Sequence, residues 1–391
     1  MKYHFFDFTI FLSIALWLGV FLFSACNSRS SLNMQHEAES AVQPHSNNEY
    51  AIGFDLIQHS SYKILHLFRH YNQTSDTTSY VLWHQGAAVP EQFSAYKSIE
   101  IPVQRIALLH TSYLPFFQQC AATDQIKAIS EGQYVYDTLM YEQIKSGSLP
   151  EIGYGESLDT ERLLELGIEL VITVGFPNTP NKSQQILEEL GVPVLVFSDW
   201  QEPTLLGRAE WVKLVAALTG EEALAAAAFE KTKNEYQQLQ SLTGTISQKP
   251  SVICNLPYKG SWYVPGGNSY VSNVLHDAGA DYLWAADPGT GGLQIDYEVA
   301  YAKGLEADYW INTDFVDRIE DITGRDERLG DFMPLKNGRV FNNNHRVARG
   351  IANDYWESGL VKPQIILADL IKIFHPELLP DHTLYYYKKV E

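Results

Sequence analysis

The stretch DTERLLELGIELVI (residues 159–172) contains the unit from which this chain is built. Glu161 opens a short helical segment, a glycine closes it at Gly167, and an acidic residue then leads into an apolar strand. A similar order recurs in DYEVAYAKGLEADYWI (residues 296–311), with Glu298 in the place of Glu161. The glutamate precedes the acid before the strand by eight residues in the first copy and by ten in the second. The repeat is therefore weak, and it indicates similar α/β lobes rather than a tandem duplication.

Short apolar strands alternate with helical segments around both copies. Strands are predicted over Arg105–Leu109, Gln125–Ile129, Leu170–Val174, Pro193–Phe197, Ser251–Asn255, Asp308–Asn312 and, as the last, Arg339–Asn342. Such alternation predicts parallel sheets with helices on both faces, so the predicted fold class is α/β, with two Rossmann-like lobes. Ahead of them, Tyr62–His70 and Ser79–His84 predict a β-hairpin or two neighbouring strands.

Helical segments separate the two series of strands and end the chain. Leu206–Leu218 is predicted as a helix, and Glu221–Leu242 then runs without glycine or proline. At 1.5 Å per residue the second helix is roughly 33 Å long, enough to cross a small domain. Pro363–Phe374 has the apolar spacing of an amphipathic helix. We therefore expect two lobes joined by one long rigid helix.

The N-terminus has the pattern of an export signal. Residues 1–25 begin with Met1-Lys2, continue through an apolar run and end in the small pair Ser24-Ala25, directly before Cys26. This order resembles a lipobox, which predicts a lipid on Cys26. A single transmembrane anchor is the alternative, since about 18 apolar residues lie near the lower limit for spanning a bilayer.

The predicted organisation follows from these segments. It consists of a signal peptide (1–25), a flexible tether (26–49), an N-terminal lobe with the initial hairpin (50–203), a helical connector (204–243), and a C-terminal lobe with the final helix (244–391). The tether is assigned because its polar composition cannot bury enough surface to fold.

Composition narrows the function. The net charge of −19 argues against nucleic acid as a partner, because a polyanion would be repelled. No G-x-S-x-G or H-E-x-x-H motif occurs, so we do not expect an enzyme. Cys120 and Cys254 lie on different predicted lobes and are expected to be buried thiols.

Together these features resemble a class III substrate-binding lipoprotein of ABC importers, the periplasmic components that carry cobalamin, ferric siderophores or haem. The paired glutamates, the connecting helix, and the segments Tyr263–Tyr270 and Ala278–Tyr282 are similar to the family pattern. The resemblance implies that Glu161 and Glu298 bind arginines of a membrane permease. It also implies a monomer without cofactor, anchored by lipid to the membrane on the periplasmic side. Alternatives are a lipoprotein that binds a bare divalent metal, or a surface enzyme or interaction protein on the same fold.

We expect the ligand cleft to lie between the two lobes, because open α/β sheets bind ligands in the crevice at the carboxyl ends of their strands. The residues that follow the predicted strands are therefore candidates to contact an iron chelate or a corrinoid: Tyr113, Tyr154, Phe176, Trp200, Tyr258, Trp262, Thr290 and Arg346, with His110, Thr111, Ser112, Asn312 and residues 343–345 nearby. Arg346 is expected to pair with a carboxylate, catecholate or propionate of the ligand. His110 and His345 leave open a metal or haem-ligand role, although no metal site is predicted.

Overall fold

The computed structural model describes residues 48–71, 74–87, 89, 91–176 and 182–391. The predicted signal, the predicted lipidation site Cys26 and nearly all of the predicted tether lie outside the described residues. Within the described ranges, no helix combines the length and the apolar composition needed to cross a bilayer.

The described chain begins with a sheet of order β1-β2-β3-β4. Its strands are β1 (Phe54–Gln58), β2 (Tyr62–Tyr71), β3 (Thr74–His84) and β4 (Lys97–Ile101). The antiparallel pair of β2 and β3 confirms the predicted hairpin, while β4 runs parallel to β3. Leu65, Leu67 and Leu82 alternate onto the inner face and pack into the first hydrophobic core. The hairpin is thus part of a larger sheet that shares its core with the first lobe.

The first lobe contains a parallel sheet of order β6-β5-β7-β8. Its elements are β5 (Ile106–Leu108), α1 (Leu114–Gln119), β6 (Ile126–Ile129), α2 (Thr138–Lys145), α3 (Thr160–Glu165), β7 (Leu170–Val174), α4 (Lys182–Glu189) and β8 (Val194–Phe197). Successive residues of β7 enter different cores: Leu170 and Ile172 pack on one side and Val171 on the other. The sheet is therefore covered on both faces, as predicted.

Helices then lead from the first lobe to the second. They are α5 (Leu205–Glu210), α6 (Val212–Thr219) and α7 (Glu222–Thr243). The helix predicted over Leu206–Leu218 is interrupted at Trp211, where α5 ends and α6 begins. The long helix α7 is present: its Phe229 packs into the core of the first lobe and its Tyr236 into that of the second.

The second lobe contains a sheet of order β12-β9-β14-β15-β18 and a smaller one of order β10-β11-β13. Its elements are β9 (Ser251–Cys254), β10 (Pro257–Tyr258), β11 (Ser261–Pro265), α8 (Tyr270–Asp277), β12 (Asp281–Tyr282), β13 (Gly292–Asp296), α9 (Tyr297–Gly304), β14 (Tyr309–Ile311), α10 (Ile319–Thr323), α11 (Met333–Lys336), β15 (Val340–Asn342), β16 (Val347–Ala348), β17 (Ala352–Asn353), α12 (Pro363–Phe374) and β18 (Lys388–Lys389). The prediction that β15 is the last strand is wrong, because the chain returns as β18 antiparallel to it. The final helix has the predicted bounds.

A second segment besides α7 joins the lobes, and we call residues 353–361 the clasp. It contains turns of 3₁₀ helix at Asp354–Trp356 and Ser358–Leu360. Its Glu357 carboxylate accepts hydrogen bonds from the backbone N–H groups of Tyr136 (2.6 Å) and Asp137 (2.9 Å) in the first lobe. The end of the clasp then enters the core of the first lobe. The long helix is therefore supplemented by a second bridge.

The start of the described chain is held by buried carboxylates, and we call residues 49–53 the strap. Glu210 accepts hydrogen bonds from the backbone N–H groups of the first three strap residues, and Glu202 from those of Ile52 and Gly53. A Cβ at Gly53 would lie 2.7 Å from the Trp211 ring, so the close approach requires glycine. The strap thereby fixes the entry of the chain against α5 and α6.

Candidate functional site

The carboxyl ends of the parallel strands in both lobes meet at one groove, which we call the cleft. A cavity of about 570 Å³ and an adjoining one of about 530 Å³ form it, and they share Phe315, Asn353 and Trp356. The lining residues that directly follow strands are His110, Thr111 and Ser112 after β5, Glu131 after β6, Asn255 after β9, Asn312, Asp314 and Phe315 after β14, and Asn343 after β15. The cleft therefore lies where the topology of open α/β sheets places a ligand.

Several of these strand ends hold a strained backbone. Glu131 (φ 57°), Asn255 (φ 65°), Asn312 (φ 57°) and Asp314 (φ 62°) adopt the left-handed conformation. A side chain other than glycine in that region costs on the order of 1 kcal/mol or more, although asparagine and aspartate tolerate it best. Strain of this kind concentrates at functional sites, and here it turns the chain sharply so that side chains after the strands face the cleft.

Aromatic side chains line the cleft and remain exposed. Tyr258 is 60% exposed, Phe315 57% and Trp356 46%, and Tyr134 and Tyr263 are also exposed. Large aromatic surfaces carry much of the binding energy at ligand sites, and a folded chain normally buries them. Their concentration around a groove indicates a surface that is covered when a ligand binds.

Amide side chains form the polar part of the cleft floor. Asn255 donates to the Tyr263 carbonyl (2.9 Å), and Asn312 accepts a hydrogen bond from the Tyr387 hydroxyl (3.1 Å). Asn353 donates to the carbonyl of Asn343 (3.1 Å). These contacts fix the orientations of the amides. Because an amide offers both donors and acceptors, each retains capacity for a ligand.

Charges in the cleft are few and mostly acidic. Asp314 pairs with Arg325 at 3.1 Å, whereas Glu131 makes no side-chain hydrogen bond or ion pair to any residue that the structure describes. Burial lowers the pKa of His110, whose Nδ1 lies 2.6 Å from the Ser112 hydroxyl, so its imidazole is neutral at pH 7. Burial also raises the pKa of Glu357 to about 7, against the opposing effect of its two backbone N–H donors. Within the described ranges, no group of three or more His, Cys, Asp or Glu side chains is placed to hold a metal ion.

The structure places the predicted ligand contacts in different surroundings. Tyr258 lines the cleft. Tyr154 and Thr290 are exposed, and Phe176 packs edge-to-face on Trp200 with ring centroids 4.9 Å apart. None of these last four is among the residues that line the cleft in the described part of the chain. Their role in ligand binding stays a prediction.

The prediction that Tyr113 and Trp262 contact the ligand is corrected by the structure, because both side chains lie in hydrophobic cores and offer no surface to a ligand. Tyr113 is 1% exposed and packs on Phe197, with ring centroids 4.9 Å apart. Trp262 is fully buried, and its indole N–H donates to the Cys254 carbonyl at 3.0 Å. In each case an adjacent residue lines the cleft, Ser112 in the first lobe and Tyr263 in the second.

Arg346 is also placed differently from the prediction. Its Nε donates to the buried carboxylate of Asp354 at 2.6 Å. The guanidinium lies over the rings of Tyr385 (4.2 Å to the centroid) and Tyr136 (5.3 Å). Its charge is therefore neutralised within the protein, and Arg346 does not line the cleft.

Sequence reasoning missed several residues of the cleft. Glu131 lies two residues beyond the predicted strand Gln125–Ile129, so extending the same rule would have found it. Phe315 follows the predicted strand Asp308–Asn312 by three residues and could have been found in the same way. Trp356 follows no predicted strand, and only the return of the clasp brings it to the site.

The repeated glutamates occupy equivalent positions in the two lobes. Asp159 caps α3 by accepting from the Arg162 N–H (2.9 Å), and Asp296 caps α9 by accepting from the Glu298 N–H (2.9 Å). Glu161 and Glu298 lie in the first turns of these helices, and both are exposed. Glu298 differs in forming an ion pair with Arg328 (3.0 Å).

Comparison with known proteins places the chain among solute-binding proteins. The family model described as periplasmic binding protein matches residues 106–342, from the first residue of β5 to the last of β15. An uncharacterized lipoprotein of Methanocaldococcus jannaschii is 24% identical over 304 residues, covering 75% of this chain and 70% of the relative. A second one from the same organism is 25% identical over 411 residues, covering 97% of this chain and 99% of the relative.

The fold is similar to that of solved periplasmic binding proteins. A periplasmic heme-binding protein from Pseudomonas aeruginosa superposes with a TM-score of 0.56 at 17% identity, covering 74% of this chain and 98% of that one. At this identity the likeness concerns the fold.

Proposed function

The chain belongs to the periplasmic binding protein family, and from that premise we propose that it captures an iron chelate or a corrinoid in the cleft and delivers it to an ABC permease. The observation that carries this proposal is the cleft itself. Exposed aromatic rings and oriented amides meet there at the carboxyl ends of strands from both lobes. Its cavities fall within the roughly 300–1,000 Å³ that is usual for small-molecule sites, and adjoining cavities suit a bulky ligand. The structural neighbour from Pseudomonas aeruginosa is a heme-binding protein, which supports the same ligand class.

Ligand binding can be followed by tryptophan fluorescence, because Trp356 is half exposed in the cleft. Titration of the purified protein with ferric siderophores, haemin, cobalamin and divalent metal ions should give saturable quenching with at least one chelate or corrinoid. The Trp356→Phe variant should lose much of the signal while an independent method, equilibrium dialysis, still detects binding. Quenching by divalent ions alone would favour the alternative of a metal-binding lipoprotein. Binding of none of these compounds would favour an enzyme or interaction protein on this fold.

Delivery requires a docking surface, and Glu161 and Glu298 are its proposed centres. A carboxylate in the first turn of a helix is stabilised by the helix dipole and can hold an arginine by two parallel hydrogen bonds. Arg328 already pairs with Glu298, so a permease arginine must displace it, whereas no side-chain partner of Glu161 is found among the described residues. Docking at the second lobe is thus an exchange of arginines at an exposed carboxylate.

Charge reversal tests this docking surface. The double variant Glu161→Arg with Glu298→Arg should abolish uptake while the affinity for ligand stays unchanged. Glu165→Arg with Glu306→Arg is the matched control, because these glutamates lie on or beside the same helices and should leave uptake intact. Loss of ligand affinity in the first variant, or equal loss of uptake in the control, would assign the glutamates a different role.

The proposed location is the periplasmic side of the membrane, with the lipid on Cys26. The sequence order before Cys26 and the lipoprotein names of two relatives support it. Cells fed radioactive palmitate should label the native chain, and Cys26→Ala should remain unlabelled. Labelling of the Cys26→Ala variant would place the acyl group elsewhere.

A further inference from the structure

The cleft lacks the cation that an anionic ligand needs. Arg346, the residue expected to meet a ligand carboxylate, is held by Asp354 and covered by Tyr385. Arg325 lines the cleft but is paired with Asp314 at 3.1 Å. No other arginine or lysine lines the cleft within the described ranges. An anionic chelate would therefore have to displace Asp314 from Arg325, the one arginine that lines the cleft in the described chain.

The other charges in and around the cleft favour a cationic ligand over an anionic one. Glu131 contributes a carboxylate at the end of β6 without a side-chain partner in the described chain. Its charge opposes the effect of burial on the pKa of His110, which lines the same cavity. Lys259 lies at the rim over the Tyr258 ring (5.0 Å), but it is exposed, so solvent screens it. The net charge of −19 adds a long-range potential that repels anions.

The neutral polar groups point to what the ligand presents. Asn255, Asn312 and Asn343 line the cleft, and a side-chain amide can both donate and accept hydrogen bonds. Amides and hydroxyls on a ligand satisfy such groups without the cost of burying an unpaired charge. Aromatic rings above this floor cover the apolar part of the same ligand.

We infer that the cleft selects a ligand without net negative charge, one that carries amide or other neutral polar groups around an apolar body, and that Glu131 is a specificity-determining residue. This inference rests on the proposed function and separates the proposed ligands into those without net negative charge, which bind, and those with it, which do not. A neutral or cationic chelate, or a macrocycle rimmed by amides, is bound, and its carboxylate-bearing counterpart is rejected.

Matched ligand pairs test the inference. Ferrioxamine B carries a terminal ammonium group, and its N-succinyl derivative carries a carboxylate on the same ferric chelate. Cobinamide carries amides where cobyrinic acid carries carboxylates on the same corrin. For each scaffold that binds, the amide or ammonium form should bind at least about tenfold more tightly than the carboxylate form, the ratio expected for one unfavourable charge contact in a partly desolvated site. Raising the salt concentration should reduce the ratio.

Variants test whether Glu131 causes the difference in affinity between the paired ligands. Glu131→Gln should narrow the ratio between the paired ligands several-fold, whereas Glu142→Gln, at an exposed glutamate of α2 outside the cleft, should leave it unchanged. Lys259→Gln should also leave it unchanged. Equal or tighter binding of the carboxylate forms, or an unaltered ratio in Glu131→Gln, would overturn the inference while the proposed function stands. If neither scaffold binds in either form, haemin decides: saturable binding of this propionate-bearing chelate would overturn the inference while the proposed function stands. Absence of binding by haemin and the rest of the panel as well would overturn both.

Discussion

The hydrogen bonds of the strap lead us to predict that one buried carboxylate, that of Glu210, holds the start of the described chain in place. Glu210 is fully buried and accepts from the backbone N–H groups of Glu49 (2.9 Å), Tyr50 (2.7 Å) and Ala51 (2.8 Å). The Lys213 ammonium also donates to this carboxylate, at 2.5 Å. Substitution Glu210→Ala removes the acceptor of all these donors, and the lysine, which is partly exposed, turns to solvent.

The expected loss follows from the kinds of bonds broken. A hydrogen bond to a charged group contributes about 1.5–3 kcal/mol net, and these contributions are not additive. The N–H groups of Glu49 and Tyr50 are partly buried and regain water when the strap is released, whereas that of Ala51 is buried. We therefore expect Glu210→Ala to lower the free energy of unfolding by about 3–5 kcal/mol. Glu210→Gln, which keeps one oxygen, should lose less.

Urea unfolding measures the loss, and hydrogen exchange of the amides of residues 49–51 reports whether the strap itself is released. Lys233→Ala is the control, because it removes the exposed ion pair to Glu49 and leaves the backbone hydrogen bonds in place. It should shift the midpoint of unfolding much less than Glu210→Ala. A loss below about 1 kcal/mol with unchanged exchange of these amides would refute the reasoning.

Three further predictions concern buried groups. The raised pKa of Glu357 means that the folded state binds a proton more readily than the unfolded state. The contribution of Glu357 to stability is therefore full below about pH 4.5 and is lost as the pH rises through about 7. The free energy of urea unfolding of Glu357→Gln should depend less on pH across this window than that of the native protein. Trp262→Ala should lower the free energy of unfolding by about 3–5 kcal/mol in the same assay, because the ring fills the core. Trp262→Phe should leave ligand affinity within about twofold, since the ring supports the cleft only from inside the core. A large loss of affinity in a stably folded Trp262→Phe would show that Trp262 contacts the ligand. Burial raises the pKa of the Cys120 thiol to about 12 and that of Cys254 further, so neither should react with Ellman's reagent at pH 8 before the protein unfolds.

Most of the fold could be predicted because its strands carry local signals. The strands of the parallel sheets are buried on both faces and have nearly continuous apolar sequences, as in Val194–Phe197. Glycines close the helices where the chain turns left-handed, as at Gly167 and Gly220. Short elements such as β18 carry little pattern of their own. Its pairing with β15 is a long-range contact that no local rule contains.

The candidate site could be predicted only to within a residue or two. The rule that ligands bind after the strands led to the correct edge of the sheets, but side chains alternate in direction. In β11, Trp262 turns into the core while Tyr263 faces the cleft, and a shift of one residue reverses the assignment. The pairing of Arg346 with Asp354 also has no sequence signal beyond the presence of both residues.

The position of the clasp explains why Trp356 could not be predicted as a cleft residue. It also limits how far the two lobes can move relative to each other. Asn353 and Trp356 line both cavities, while Glu357, next in the chain, is bonded to the first lobe. One short segment of the second lobe is thus at once a wall of the cleft and a bridge between lobes. Any change in the angle between the lobes would either break the hydrogen bonds of Glu357 or displace Trp356 from the ligand. Together with the rigid α7, this coupling favours a preformed cleft that closes little, so that ligand choice depends on the groups already fixed there.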